Sequence, residues 1–263
     1  VAKLAAPGST IYYEVRGNGP TLVMIPGGPT DAASFDGIAA ALERRYTVVA
    51  LDPRGNSRSV LDGPPVEQDL HVHADDTAAV IAAVGNGPAI VLGSSGGAQV
   101  GLALAAKHRQ SLRVLIAHEP PCVTLLPDAD AVLAGFERVY AAHRDHGARA
   151  AMAAFAELAG FDQTPPPPSP HTMRMAGNLD YFIGYFMRRI AAYRPELEAL
   201  RSRRVIVGVG ATSTGQLANR CAVALARALG IEPVVFPGGH VGFAHEPTAF
   251  ASVLIAAAAA ATE

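Results

Sequence analysis

The chain has 263 residues, half of them hydrophobic and 17% charged, with a formal net charge of -2. That length and apolar share fit a large folded domain with an extensive buried core and argue against disorder. The 21 basic residues are scattered along the chain, which leaves no electrostatic footprint for nucleic acid.

Val1–Pro7 lacks the basic, apolar and small-residue order of a signal peptide. Thr10–Val15 alternates and is β-branched, and Gly17–Pro20 reads as a turn, so an opening hairpin is predicted. Thr21–Ile25 is an apolar run stopped by Pro26-Gly27-Gly28-Pro29, the pattern of a strand buried on both faces. Phe35–Leu42 has helical spacing, Tyr46–Leu51 is a second buried strand, and Thr77–Val84 is helical. Ala89–Leu92 is again a strand, followed by a glycine-rich turn and the helical run Gln99–Ala106. Leu112–Ala117 and Val205–Val209 are further strands, and Leu217–Leu229, Pro233–Phe236 and Pro247–Ala260 form a closing helix–strand–helix. The alanine run Ala256–Ala261 is too short to span a bilayer. A cytoplasmic protein with no membrane partner is expected, and a homo-oligomer is compatible with the sequence.

Strand–helix alternation predicts an α/β fold with a mostly parallel sheet and helices on both faces. The stretch from Pro121 to Arg201 interrupts it with candidate helices Ala131–Tyr140, Ala148–Leu158 and Leu179–Ala192, broken by an extended connector at Pro165–Pro168. The expected organisation is a core from 1–121, an inserted helical cap over 122–201, and the rest of the core over 202–263.

Gly93-Ser94-Ser95-Gly96-Gly97 fits G-x-S-x-G with Ser95 at its centre. The pentapeptide gains meaning from its place between a buried strand and a helix. A sharp turn there holds a serine hydroxyl outward at the sheet's C-terminal edge, with helix N-terminal amides facing a developing oxyanion. Ser94 has the wrong offset from the flanking glycines. The turn after the second strand supplies the other amide, so the oxyanion hole is assigned to Gly28 and Gly96. A serine hydroxyl needs a base at neutral pH, and His240, in the glycine-rich loop after the last strand, has the placement to reach it. His245 lies in the same loop and is the alternative. His108, His143 and His146 fall in polar helical segments and are expected to be solvated.

Two features are set aside. His71-Val72-His73-Ala74-Asp75-Asp76 is like a zinc signature but ends in Asp where His is needed, and reads instead as a solvated helix start with Asp75 and Asp76 at its N-terminus. Cys122 and Cys221 occur in unrelated contexts and form neither a disulfide framework nor a metal cage.

Ile25–Pro29, Asp52-Pro53-Arg54-Gly55-Asn56-Ser57-Arg58-Ser59, the Ser95 turn and the His240 loop together resemble the α/β-hydrolase superfamily over essentially the whole chain. The resemblance implies a Ser–acid–His triad, with the acid in most members following the penultimate strand. Here that loop is Gly210-Ala211-Thr212-Ser213-Thr214-Gly215 and has no carboxylate. Glu119, at the end of the strand after the nucleophile helix, is the replacement, as in certain dehalogenases and the zearalenone lactonases. Asp52 and Glu246 are weaker alternatives, the first reading as a structural turn and the second as a helix cap. Tyr12-Tyr13-Glu14, Ser57-Arg58-Ser59, Ser95-Gly96, His118-Glu119 with the following prolines, and Pro237-Gly238 are most similar to the zearalenone lactonases. Two differences separate the chain from them: Gly27 stands where they carry an acidic residue, and the chain has no tryptophan. The resemblance therefore implies their reaction type without their substrate.

The expected protein is a serine esterase or lactonase acting on an apolar small molecule through Ser95, Glu119 and His240, with no metal or organic cofactor. A carbon–carbon or amide hydrolase with the same triad, a perhydrolase side activity, and a non-catalytic ligand binder on the same scaffold are the alternatives.

Overall fold

Successive residues of a strand point to opposite faces of a sheet, so a strand covered on both sides must be apolar throughout. The computed structural model, which describes residues 1–162, 167–201 and 204–261, shows this in the central strands. Strand β1 is Ala2–Ala6, β2 Ser9–Arg16, β3 Thr21–Ile25, β4 Thr47–Leu51, β5 Val60–Leu61, β6 Ala89–Ser94, β7 Leu112–His118, β8 Val205–Gly210 and β9 Val234–Phe236. The sheet runs β1-β2-β4-β3-β6-β7-β8-β9, with β5 pairing to β2. From β4 to β9 every pairing is parallel, while β2 pairs antiparallel with β1, β4 and β5.

Val23, Ile25 and Val91 face one buried cluster, and Leu22, Met24, Ile90 and Leu92 face the other. The helices are α1 Asp36–Leu42, α2 Leu70–Val84, α3 Gly96–Lys107, α4 Ala129–His146, α5 Ala148–Ala159, α6 Pro170–Tyr181, α7 Met187–Ala192, α8 Leu197–Arg201, α9 Leu217–Leu229, α10 Gly242–His245 and α11 Pro247–Ala260. Helices α2, α3 and α9 cover the first face, and α1 and α11 the second. The expected mainly parallel α/β sheet flanked by helices is present. Helices α4 to α8 all fall between β7 and β8. No helix among the described residues is long and apolar enough to cross a membrane.

Three local expectations are corrected. The opening hairpin is β1–β2, turning at Pro7-Gly8, whereas Gly17–Pro20 leads from β2 to β3, which are separated by β4. Helix α2 begins at Leu70, capped by the Asp69 side chain on the His71 amide. Asp76 is therefore inside the helix, buried against Arg54 at 2.6 and 2.7 Å, and Asp75 holds Lys107 at 2.8 Å and His108 at 2.6 Å. Charge partners on other elements, not a solvated first turn, keep these carboxylates in place. His73 is buried and stacked on Phe186 at 4.3 Å, and among the described residues no His, Cys, Asp and Glu group could hold a metal ion. The third correction is α6, which starts nine residues before the expected Leu179. Ser169 and Thr172 form a reciprocal capping box with Pro170 in the first turn, a start signal that was present in the sequence. The helix runs into a π-helical turn, Phe182–Phe186, before α7. Pro165 and Pro166 of the expected connector lie outside the described residues, and Pro167 and Pro168 are exposed coil.

Candidate active site

Strand β6 hands the chain to α3 through Ser95, whose φ of 55° and ψ of -124° lie in a region costly for a residue with a side chain. The turn is held by the Ser95 amide on the His118 carbonyl at 2.9 Å and by the Ala98 amide on the Ser95 carbonyl at 2.9 Å. It is so tight that a Cβ on Gly97 would lie 2.2 Å from the Ile25 carbonyl oxygen. Ser94 pairs within the sheet opposite His118 and remains a strand residue.

The loop after β3 closes on this turn. A Cβ on Gly27 would lie 2.6 Å from that of Ser95 and 2.5 Å from the Ser94 carbonyl oxygen, so no side chain fits at that position. The acidic residue of the zearalenone lactonases is excluded here by contact alone. Gly28 has φ 60°, and a Cβ placed on it would meet nothing within 4 Å. Gly28 and Gly96 lie side by side across the gap, since a Cβ on Gly96 would sit 3.9 Å from the Gly28 nitrogen.

Strand β7 ends at His118, and Glu119 follows with φ 48°, its amide still bonded to the Gly208 carbonyl of β8 at 2.9 Å. That left-handed step sends its carboxylate across the sheet edge. Glu119 Oε2 accepts from His240 Nδ1 at 2.7 Å. Oε1 accepts from the Gly210 amide at 2.9 Å, from Asn219 Nδ2 at 3.2 Å and from the Ser213 hydroxyl. The carboxylate is fully buried. Burial alone would raise its pKa, but His240, Ser213 and the Gly210 amide more than offset this and bring it down to about 2. His118 is buried edge-on to Phe236 and Phe250 at 5.5 and 5.2 Å. Burial pushes its imidazole down to about 4, so it is neutral at pH 7 and leaves the Glu119 charge to His240.

Ser95, Gly28, Gly96 and His240 all border one cavity of about 520 Å³. Glu119 and His240 are thus joined directly, and His240 and Ser95 face the same space. His245 also borders the cavity, but Glu119 bonds His240 and not His245. Asp52 is fully buried and holds Arg58 at 2.8 and 2.9 Å and the Ala32 amide at 3.0 Å, so it braces two loops and does not bond His240. Glu246 makes no side-chain cap on α11, contrary to expectation, and its carboxylate lies beside Gly238. His108 and His143 are paired with Asp75 and Asp180 at 2.6 and 2.7 Å instead of solvated; His146 is exposed.

A family model described as alpha/beta hydrolase fold matches residues 20–159, more than half of the chain. The chain belongs to the α/β-hydrolase fold family. Over 248 residues this α/β-hydrolase is 35% identical to the uncharacterized hydrolase YraK of Bacillus subtilis (strain 168), covering 91% of this chain and 89% of that one. Among solved structures it is similar in fold to a thermophilic esterase from Thermogutta terrifontis, with TM-score 0.79 and 20% identity over 100% of each chain. It is similar likewise to the enol-lactonase from Burkholderia xenovorans LB400, with TM-score 0.67 and 18% identity over 97% of this chain and 99% of that one.

Several site residues carry no sequence motif. Ser213 and Asn219 hold Glu119 from the loop after β8 and from α9; the absence of a carboxylate in that loop was the available signal. Phe161 stacks on the His240 ring at a centroid distance of 4.9 Å and continues to Phe155 and Phe136 at 5.9 and 6.0 Å. Contacts between segments about 80 residues apart cannot be read from periodicity.

Proposed function

We propose that this α/β-hydrolase is a serine esterase or lactonase acting on an apolar small molecule, with Ser95 as nucleophile, His240 as general base and Glu119 as the acid that orients it. The observation that carries the reading is the 2.7 Å bond to a buried, ionised Glu119 from Nδ1 of His240, whose ring borders the cavity that Ser95 faces. That bond fixes Nδ1 as the protonated nitrogen, so Nε2 is left to take the serine proton. As Oγ attacks the carbonyl carbon, negative charge moves onto the carbonyl oxygen, and in this reading the amides of Gly28 and Gly96, which border the same cavity, receive it. The imidazolium that forms is stabilised by Glu119 and returns its proton to the leaving alkoxide. Water then attacks the acyl-enzyme by the same route, with His240 again as base.

The walls support an apolar, uncharged substrate. Phe136, Phe155, Phe161, Phe182, Met152 and Met187 border the cavity, and among the described residues no Asp, Glu, Lys or Arg does. An amine-gripping aminopeptidase would need a carboxylate there. Helices α4 to α7 contribute much of this lining, consistent with a cap over 122–201. The neighbouring folds of an esterase and an enol-lactonase agree with this reaction class.

A fluorophosphonate probe tests the reading. Wild-type protein should be labelled at Ser95 and Ser95→Ala should not; absence of labelling in the wild type would favour a ligand binder on this scaffold. A panel of esters, lactones and amides then ranks the bond classes.

A further inference from the structure

A second imidazole held by a buried carboxylate borders the same cavity. Helix α6 carries His171, Arg174 and Asn178 on one face, spaced three and four residues apart. That face docks on the segment just after the oxyanion loop. Asp31 Oδ1 accepts from His171 Nδ1 at 2.8 Å and from the Ala33 amide at 3.0 Å. Its Oδ2 accepts from Arg174 Nε at 2.5 Å and from the Ser57 hydroxyl at 2.9 Å. Asn178 Nδ2 donates to the Pro29 carbonyl at 2.8 Å and its Oδ1 accepts from the Ser57 amide at 2.8 Å.

A mechanical tie between α6 and the core is served by Arg174 and Asn178, neither of which borders the cavity. His171 does, with Thr172 beside it, and Thr30 and Ser34 of the core border the same cavity. Asp31 is fully buried. Burial would raise its pKa, but His171, Arg174 and Ser57 outweigh this and hold it well below the usual carboxylate range. An ionised carboxylate only accepts hydrogen bonds, so His171 Nδ1 must donate to it. In the neutral imidazole Nε2 is then an acceptor, on the ring edge away from Asp31.

We propose that His171, oriented by Asp31, is a specificity residue whose Nε2 accepts a hydrogen bond from a hydroxyl group on the substrate. This rests on the hydrolase reading above and narrows it. The substrate is an uncharged ester or lactone whose apolar part lies along the Phe136–Phe155–Phe161 wall and whose hydroxyl-bearing part meets the Thr30–His171 wall.

The test compares p-nitrophenyl hydrocinnamate with its ortho, meta and para ring-hydroxyl isomers. Wild-type protein should favour at least one isomer over the parent by about tenfold in kcat/KM. His171→Phe should bring that ratio to about one, whatever the rate on the parent. His171→Leu has no hydrogen-bonding group at all; it must lose the preference too, and covers the case in which Phe disturbs folding. No preferred isomer in the wild type, or an equal fall for parent and isomer in both variants, overturns the proposal. If no ester is turned over and Ser95 is not labelled, the hydrolase reading has failed separately. His171 is then read by calorimetry of benzylacetone and its ring-hydroxyl isomers on Ser95→Ala protein. Tighter binding of an isomer, lost in the double variant with His171→Phe, sustains the hydroxyl contact, and equal binding of all the ketones overturns it.

Discussion

Ser213 donates its hydroxyl to Glu119 Oε1, the carboxylate oxygen that does not hold His240. Ser213 stands in the loop after β8, where the resemblance to the α/β-hydrolase superfamily implied an acid and the chain has none. A serine there adds a donor to the carboxylate arriving from β7, whereas a carboxylate would set two like charges in contact. The Glu119 carboxylate and the Ser213 loop therefore form one hydrogen-bonded arrangement.

Glu119→Gln should lower kcat/KM for a p-nitrophenyl ester by about 10³–10⁴ with the fold retained, because an amide cannot stabilise the imidazolium. Adding Ser213→Asp to Glu119→Ala should recover part of the loss in the single variant. Steady-state kinetics with circular dichroism as the fold control checks both; near-normal turnover in Glu119→Gln would remove Glu119 from the triad.

The stability of the protein should depend on Glu119 ionisation. Its pKa falls from 4.5 to about 2 on folding. A depressed folded-state value means stabilisation that is fully present above pH 4.5 and is lost as the pH falls through about 2. The full difference corresponds to about 3 kcal/mol. Urea unfolding from pH 7 to pH 2 should show wild type and Glu119→Gln converging at the acid end; parallel curves would contradict the linkage.

Gly27→Ala should disable the site without touching any reacting group. The added Cβ would sit 2.6 Å from that of Ser95, forcing apart the loop and the nucleophile turn. We expect a destabilisation of about 1–3 kcal/mol and loss of fluorophosphonate labelling. Full labelling at wild-type rates would show that the approach can relax.

Asp31→Asn should loosen α6 from the core. It leaves Arg174 facing a neutral amide where a buried carboxylate had been, and we expect about 3 kcal/mol of destabilisation by chemical denaturation. Because Asp31 lies three residues after Gly28, kcat should fall as well. Unchanged stability would mean that Asn178 alone suffices to seat the helix.

Periodicity and turn chemistry alone disclosed the strand–helix alternation, the parallel α/β sheet and the turns carrying Ser95 and His240, because these are local properties written within a few residues. Glu119 was legible only through the resemblance to the α/β-hydrolases, which implied an acid and offered that strand end once the loop near Ser213 had none. The hairpin partner of β2, the early start of α6 and the burial of Asp76 escaped or were misread. The first and last depend on which distant segment lies alongside, whereas the start of α6 is marked locally by the Ser169–Thr172 capping box. Only the tertiary structure decided that Glu119 reaches His240, that Gly27 admits no side chain, and that His171 meets Asp31 from 140 residues away. Such contacts form where the folded sheet brings strand ends to one rim and α6 docks on it. Their energies depend on burial and distance, which the order of residues does not contain.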